Sequence, residues 1–297
     1  MRNPLHGRIL PRLMTLAVIA SLAALASGDL RAAENTATKF YLVGVGPGDP
    51  DLITLRAVKV IRQSDVIFCF KRLGEKFPEY LEGKEVVDGY GLLFRYYGQD
   101  PSEFESDQRQ ECEEVTQKRN RFIAEVRRAI GQGKTVAVLD SGDPLIYGPW
   151  AWCLEEFEDL DPVVVPGVSC FNAANAALRR SITSSEETKS VILTAADWPG
   201  KTDTIDKLAV HHSTMALFTM KTEFEEFIRK LSVNYPPETP VAIVKYAGYA
   251  GKEAVIHGRL GTILQQIGDE RLPFEYMIYV GDFLTYRDKK PAGAERP

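Results

Sequence analysis

One glycine-rich stretch, residues 39–57 with the sequence KFYLVGVGPGDPDLITLRA, constrains the fold of this chain more than any other. An apolar run at 40–45 is typical of a buried strand, and a turn containing Gly46 and Gly48 follows it. Glycine lets the backbone bend and approach a ligand closely, because it has no Cβ atom. Thr54 is then placed to cap the amino terminus of a helix. This order predicts a binding loop at the end of a strand.

The spacing of the glycines excludes two common nucleotide-binding loops. A dinucleotide-binding fingerprint requires G-x-G-x-x-G, but Asp49 occupies the position of the third glycine. A Walker loop requires Gly-Lys followed by Ser or Thr, and no such triplet closes this turn. The loop therefore predicts a different ligand.

Two later glycine turns make the pattern specific, at 138–148 (VLDSGDPLIYG) and 163–171 (VVVPGVSCF). With the first stretch they form the ordered set VGxGPGDPxLxTLxA, SGDPLxYG and VxPGxSxxxAAxA. This set resembles the tetrapyrrole methylase family, whose members use S-adenosylmethionine. Shorter matches follow in order at 217–220, 239–244, 256–260 and 278–281. The resemblance covers residues 39–286.

The fold class follows from the order of the apolar patterns. Strand and helix patterns alternate up to residue 178, which predicts a parallel, doubly wound sheet. Five later strand patterns with short helices between them predict a second, mixed sheet. We therefore expect an α/β protein with two α/β domains, and the resemblance places the cofactor cleft between them. The predicted organisation is a signal peptide and linker at 1–38, domains at 39–161 and 162–286, and a disordered tail at 287–297.

The resemblance implies that S-adenosylmethionine binds as the methyl donor. It assigns donor-binding roles to Pro47, Ser141, Gly142, Asp143, Ile146, Ser169, Cys170, Met220 and Ala247. Two of these keep an alternative: Asp143 could be a cap inside its own loop, and Met220 could fill the core. The motifs identify no catalytic base, and Asp49 and Tyr147 are the candidates that face the expected cleft.

The acceptor that the resemblance implies is a tetrapyrrole of the precorrin or porphyrinogen type. Two departures bear on it, because Pro149 and Trp150 stand where uroporphyrinogen-type members have Arg-Gly, and segment 181–185 lacks the arginine expected to meet substrate carboxylates. One alternative is a methylase of a different acceptor, such as a peptide. Another is an exported, non-catalytic protein that binds a tetrapyrrole or similar small ligand. Members of the family pair, so a homodimer is expected.

The first residues of the chain have the three parts of a secretory signal peptide. Arg2, Arg8 and Arg12 precede an apolar run at 13–26, and small residues follow. The run is shorter than the roughly 20 residues of a membrane-spanning helix. We expect an exported, periplasmic protein with no stable membrane span after cleavage, or a cytoplasmic one if the start codon is misassigned. Export would separate the protein from its cytosolic methyl donor.

Charge and cysteine content exclude other classes of function. The chain has 36 basic and 41 acidic residues and a net charge of −5, so it lacks the basic surface that nucleic acid requires. The four cysteines form no C-x-x-C pair, and we expect no zinc site. Cys69 and Cys153 lie in apolar patterns and are predicted to fill the core. Tyr96 and Tyr97 either line a pocket or cover a neighbouring helix.

Overall fold

The computed structural model describes residues 40–219 and 224–287, all within one compact unit that begins at residue 39. The predicted leader lies outside these residues, as do Met220 and the predicted tail apart from Arg287. None of the helices in the described ranges is long and apolar enough to cross a membrane.

The first sheet is parallel throughout, with its strands in the order β3-β2-β4-β1-β5. The strands are β1 (Phe40–Gly44), β2 (Val66–Phe68), β3 (Glu85–Val87), β4 (Val136–Asp140) and β5 (Val163–Val165). The helices that accompany it are α1 (Leu55–Gln63), α2 (Lys71–Gly74), α3 (Pro78–Leu81), α4 (Ser106–Gly131) and α5 (Cys153–Glu156). This is the doubly wound sheet that the alternating pattern predicts.

Both faces of the first sheet are covered, because successive side chains of a strand point to opposite faces. Leu42 of β1 belongs to one core cluster with Phe122 of α4, whereas Val43 belongs to another with Ile61 of α1. Cys69 and Cys153 are buried in these clusters as predicted. Burial on both faces explains why the strands are continuous apolar runs.

The second sheet is mixed, with its strands in the order β6-β7-β10-β8-β9. The strands are β6 (Val191–Thr194), β7 (Thr214–Phe218), β8 (Pro240–Lys245), β9 (Ala254–Arg259) and β10 (Tyr276–Val280). Only β6 and β7 pair in parallel, and the other neighbours are antiparallel. The helices of this half are α6 (Cys170–Leu178), α7 (Ile205–Ala209), α8 (Phe224–Leu231) and α9 (Ile263–Ile267). The α/β fold with two sheets is confirmed.

Helix α6 connects the two sheets. It follows β5, the edge strand of the first sheet, but its Ala174 packs with Ala216 and Tyr279 of the second sheet. The loops at the ends of β1, β4 and β5 are thereby held near the second sheet. The domain boundary at 161/162 stays a prediction.

Two local predictions are wrong or incomplete. The residue pattern of 147–156 by itself predicts a helix, but Tyr147 has φ of 57° and helix α5 begins only at Cys153. A left-handed residue cannot continue a right-handed helix, and Pro149 removes a further backbone donor. Helix α4 begins at Ser106, well before the apolar residues that repeat at helical spacing, such as Phe122 and Val126. The first turns of the helix are exposed to solvent, so they show no apolar pattern that would predict them.

The two tyrosines of the 94–98 segment cover helix α4. The ring of Tyr97 lies 5.3 Å from that of Trp152, and the guanidinium of Arg119 lies 5.3 Å from the Tyr97 ring. The hydroxyl of Tyr96 donates to Glu111 at 2.7 Å. These contacts favour the second of the two alternatives for this pair.

Candidate functional site

Three loops converge at the carboxyl edge of the first sheet, where β4, β1 and β5 are neighbours. The amide of Val45 donates to the carbonyl of Asp140 at 2.9 Å, and that of Gly46 donates to Gly142 at 3.3 Å. A Cβ atom on Gly44 would lie 2.6 Å from the Gly167 nitrogen and 2.7 Å from the Gly142 oxygen. Only glycine allows this approach, so the three turns recognised in the sequence form one structure.

Gly142 differs from the other two glycines because an added Cβ atom would meet its neighbours only at ordinary van der Waals distance. Its φ is +78°, and the nearest atoms to an added Cβ lie at 3.9 Å, on Val168, Ser169 and Cys170. Ser141 beside it is exposed. Gly142 itself is buried, so Ser141 is the part of this turn that solvent reaches.

The carboxylate of Asp143 joins the second and third loops. One oxygen accepts from the Leu145 amide at 2.9 Å, and the other accepts from the Gly167 amide at 3.2 Å. The carbonyl of Asp143 also accepts from the Ile146 amide at 3.3 Å. The capping role considered for Asp143 is therefore present, and its donor-binding role stays a prediction.

Ser169 and Cys170 begin helix α6 beside this loop. The Ser169 hydroxyl caps the helix by accepting from the Phe171 amide at 3.2 Å. Burial raises the pKa of the Cys170 thiol to about 11, so the thiol is protonated at neutral pH. Cys170 therefore contributes volume and not a thiolate nucleophile.

Asp140, which sequence reasoning missed, lies beneath the second loop at the end of β4. Its side chain is 2% exposed, and its Oδ2 atom has no hydrogen-bond partner in the described part of the chain. Burial, with a smaller effect from the Asp143 charge, raises the pKa of Asp140 to about 7. A Cβ on Gly148 would lie 2.7 Å from this oxygen. Its position directly before the SGDP motif was the only signal.

The first loop is tied to the segment that follows β8 in the second sheet. The Asp49 amide donates to the Gly248 carbonyl at 2.8 Å, and the Asp49 carboxylate accepts from the Ala250 amide at 2.8 Å. Lys76 donates to the Gly48 carbonyl at 2.7 Å and to the Tyr249 hydroxyl at 2.9 Å. The hydrogen bond between the Asp49 carboxylate and the Ala250 amide therefore helps to position the first loop.

These ties bring Pro47 and Ala247 to the same region. A Cβ on Gly248 would lie 3.4 Å from the Pro47 carbonyl oxygen, and Ala247 is buried beside helix α6. Met220 lies outside the described residues. The other predicted donor-binding residues are all on these converging loops or at the start of α6.

Tyr147 is at the mouth of a cavity of about 240 Å³ between the second loop and the loop after β6. Its ring lies 4.7 Å from that of Phe218 and 6.0 Å from that of Trp198. Burial raises the pKa of Tyr147, and a hydrogen bond with Thr194 opposes the increase. Tyr147 is therefore a protonated wall residue at neutral pH. The remaining lining residues are 194–197, Lys201, Asp203 and Thr204.

The three loops are suited to holding a small ligand by its contacts with backbone groups. The cavity beside Tyr147, which has aromatic walls, offers a second space next to them. Such an arrangement can align two reactants without a nucleophile of its own. No group of three His, Cys, Asp or Glu side chains within 40–219 and 224–287 is arranged to hold a metal ion. The fold and the site together define an α/β protein with two sheets and a small-ligand site built from backbone turns at the carboxyl edge of the first sheet.

Comparison with known proteins gives the family. The model of the family described as "Tetrapyrrole (Corrin/Porphyrin) Methylases" matches residues 39–264 of this chain. The chain belongs to this family. It is 31% identical to the cobalt-precorrin-4 C(11)-methyltransferase of Methanocaldococcus jannaschii, over 83% of this chain and 88% of that protein.

Solved structures agree with the fold. The X-ray structure of a cobalt precorrin-4 methyltransferase matches with a TM-score of 0.67 and 25% identity, over 86% of this chain and 99% of that one. A uroporphyrin-III C-methyltransferase from Thermus thermophilus, solved with S-adenosylhomocysteine, matches with a TM-score of 0.57, over 83% of this chain and 99% of that one. Its 19% identity supports the fold alone.

Proposed function

We propose that this protein is a methyltransferase that transfers a methyl group from S-adenosylmethionine to a tetrapyrrole. The observation that carries the proposal is the convergence of Gly44, Gly142 and Gly167, which brings three backbone turns together at the carboxyl edge of the first sheet. The relative at 31% identity is named as a cobalt-precorrin-4 C(11)-methyltransferase, which supports a tetrapyrrole acceptor.

The residues of the site act by binding and alignment. S-adenosylmethionine supplies an activated methyl group when it is bound, so the protein needs to orient its two reactants and exclude water. We assign donor binding to Pro47, Ser141, Gly142, Asp143, Ile146, Ser169, Cys170, Met220 and Ala247. The Asp143 carboxylate keeps the second and third loops in register, and the ties from Asp49 and Lys76 fix the first loop.

Calorimetry with S-adenosylmethionine and S-adenosylhomocysteine tests the proposal. We expect dissociation constants in the micromolar range, on the order of those for a small cofactor in a preformed site. Gly142→Val should abolish binding, because its side chain would add bulk where the loop already packs against Ser169 and Cys170.

A matched control separates this effect from backbone strain. Gly83 has φ of +73° and no atom within 4 Å of an added Cβ, so Gly83→Val carries similar strain away from the loops. Gly83→Val should bind the donor as the wild type does. Equal affinities for both variants and the wild type would refute the assignment of the donor site.

Two further parts of the proposal rest on the sequence and the family resemblance. We propose that the protein is a homodimer, since pairing is expected of this family. We also propose that residues 1–38 direct export and are cleaved. An exported enzyme would need a source of donor outside the cytoplasm, so these two proposals are tested separately from methyl transfer.

A further inference from the structure

The carboxyl group of Asp140 lies beneath the 141–148 loop, which carries four of the residues assigned to donor binding. Side chains alternate between the two faces of a strand, so Asp140 and Val138 of β4 point to the same face of the first sheet. Val138 packs there in the cluster that contains Trp150 and Cys153. Asp140 is 2% exposed, because this cluster and the loop enclose it together.

The loop closes over this carboxyl group at Gly148. A Cβ atom added to Gly148 would lie 2.2 Å from the Pro144 carbonyl oxygen and 2.7 Å from the Oδ2 atom of Asp140. Only a glycine can pass through so narrow a space. Two acceptor oxygens, one from Pro144 and one from Asp140, therefore converge on the same point of the closed loop.

The protonation state of Asp140 determines how these two oxygens interact. Oδ2 has no hydrogen-bond partner in the part of the chain that the structure describes. The neutral acid has a hydroxyl that can donate to the Pro144 carbonyl, whereas the carboxylate is an acceptor only. A buried negative charge next to a carbonyl oxygen is unfavourable. The closed loop is therefore most stable above the neutral acid.

The titratable groups around this carboxyl offer no positive charge to an anion. Asp143 of the same loop is itself an acid, and burial raises the pKa of the Cys153 thiol in α5, which is therefore neutral. The neighbouring strand β1 is followed by Val45, whose backbone amide donates to the Asp140 carbonyl. The other neighbour, β2, ends at Phe68. Within the described residues, no Lys, Arg or His contributes to the pKa of Asp140.

We propose that Asp140 is a positioning residue of the donor site, which holds the 141–148 loop closed as the neutral acid and lets it open as the anion. The closed form is kept by donation from the Asp140 hydroxyl to the Pro144 carbonyl. The donor binds the closed loop, so its affinity falls as the carboxyl ionises, and binding takes up a proton. This inference rests on the proposed function, and it adds control of donor binding by a proton.

The test is calorimetry of S-adenosylhomocysteine with the full chain, from about pH 6 to about pH 8. The amino group of the ligand titrates as well, so Asp140→Asn serves as the reference. Asparagine keeps an N–H donor and cannot ionise. Because the pKa of Asp140 is about 7, the ratio of the wild-type dissociation constant to that of Asp140→Asn should rise about tenfold over this range.

Proton uptake gives a second measurement of the same effect. At about pH 8, titrations in buffers of different ionisation enthalpy count the protons bound with the ligand. The wild type should take up close to one proton more than Asp140→Asn. Asp140→Ala, which has neither the donor nor the charge, should bind about tenfold more weakly than Asp140→Asn at every pH. Circular dichroism at each pH shows that the variants are folded.

The matched control is Asp161→Asn. Asp161 is exposed and precedes β5, at the end of the sheet opposite to the loops. Its φ is 49°, a left-handed conformation that asparagine also adopts readily. This variant should follow the wild type at every pH.

The outcomes separate this inference from the proposed function. A ratio of dissociation constants that does not change with pH would overturn the role of Asp140 and leave the methyltransferase proposal in place. A wild-type affinity for S-adenosylmethionine that rises with pH would also overturn it, because the anion would then attract the sulfonium charge instead of opening the loop. Failure of the wild type to bind S-adenosylhomocysteine at about pH 6 would refute the proposed function, and with it this inference.

Discussion

Asp140 combines almost complete burial with a carboxyl oxygen that has no donor in the described part of the chain. A buried carboxylate with one oxygen left unpaired is costly, whereas the protonated acid is neutral. The pKa of about 7 means that Asp140 carries a proton over most of the acidic range. Its neighbour Asp143 can then hold the Gly167 amide without a second charge beside it.

Asp140→Asn should make stability less dependent on pH. The folded pKa is about 7 against an ordinary value of 3.8, so the folded state binds the proton more tightly than the unfolded state. Stability is therefore fully present below about pH 4 and falls as pH rises to about 7. The variant avoids this loss, and at about pH 8 we expect it to exceed the wild type by up to a few kcal/mol. Urea denaturation over this pH range measures the difference.

The control for this experiment is Asp51→Asn, a change of the same chemistry at an exposed position. Its free energy of unfolding should differ little from that of the wild type, because substitutions at exposed positions are usually small in effect. An Asp140→Asn variant with the same pH slope as the wild type would contradict the protonated state of Asp140.

At the scale of elements, the contact between the first loop and the 246–250 segment determines how Asp49 should behave. The Asp49 side chain accepts from an amide 201 residues further along the chain, at Ala250. Asp49→Asn keeps an oxygen that can accept from this amide, but Asp49→Ala does not. We expect Asp49→Asn to retain donor affinity and turnover, and Asp49→Ala to weaken donor binding about tenfold. Calorimetry and initial rates measure both.

This pair of variants distinguishes positioning from proton transfer. A base at Asp49 would require the carboxylate, so Asp49→Asn would lose most of its kcat with little change in donor affinity. That result would restore Asp49 as a catalytic candidate and reject its role as a tie between loops.

At the scale of the whole molecule, the homodimer can be checked by light scattering. The chain has a mass of 33.1 kDa before any cleavage, and a dimer has twice the mass of the chain present in the sample. We expect the dimeric mass at working concentration, with little change on dilution if the interface is of the large, obligate type. A monomeric mass at the highest concentration would reject the dimer.

The leader is tested by amino-terminal sequencing of the protein from fractionated native cells. The basic residues, apolar run and small residues of positions 1–28 have the composition expected of an export signal, which makes the proposed cleavage testable. We expect the mature chain to begin between Ser27 and Asn35, in the fraction outside the cytoplasmic membrane. Intact Met1 in the cytoplasmic fraction would reject export.

Local chemistry explains what the sequence by itself determined. The strand patterns, the glycine turns and the cap at Thr54 depend on neighbouring residues, and each lies where the pattern predicts. A continuous apolar run or a missing Cβ atom is a local property, so a reader of the sequence can recognise it. The order of the motifs was sufficient for the fold class and the family.

Only the tertiary structure decided which side chains meet at the site. Tyr147 has a left-handed backbone within a segment that resembles a helix, and its ring meets Trp198 from the other sheet. In the sequence, Asp140 does not differ from other acidic residues at strand ends. Only the tertiary structure shows that it is buried beneath the second loop. These features depend on packing between residues far apart in the chain, because the burial and partners of a side chain are set by the elements around it and not by its sequence neighbours.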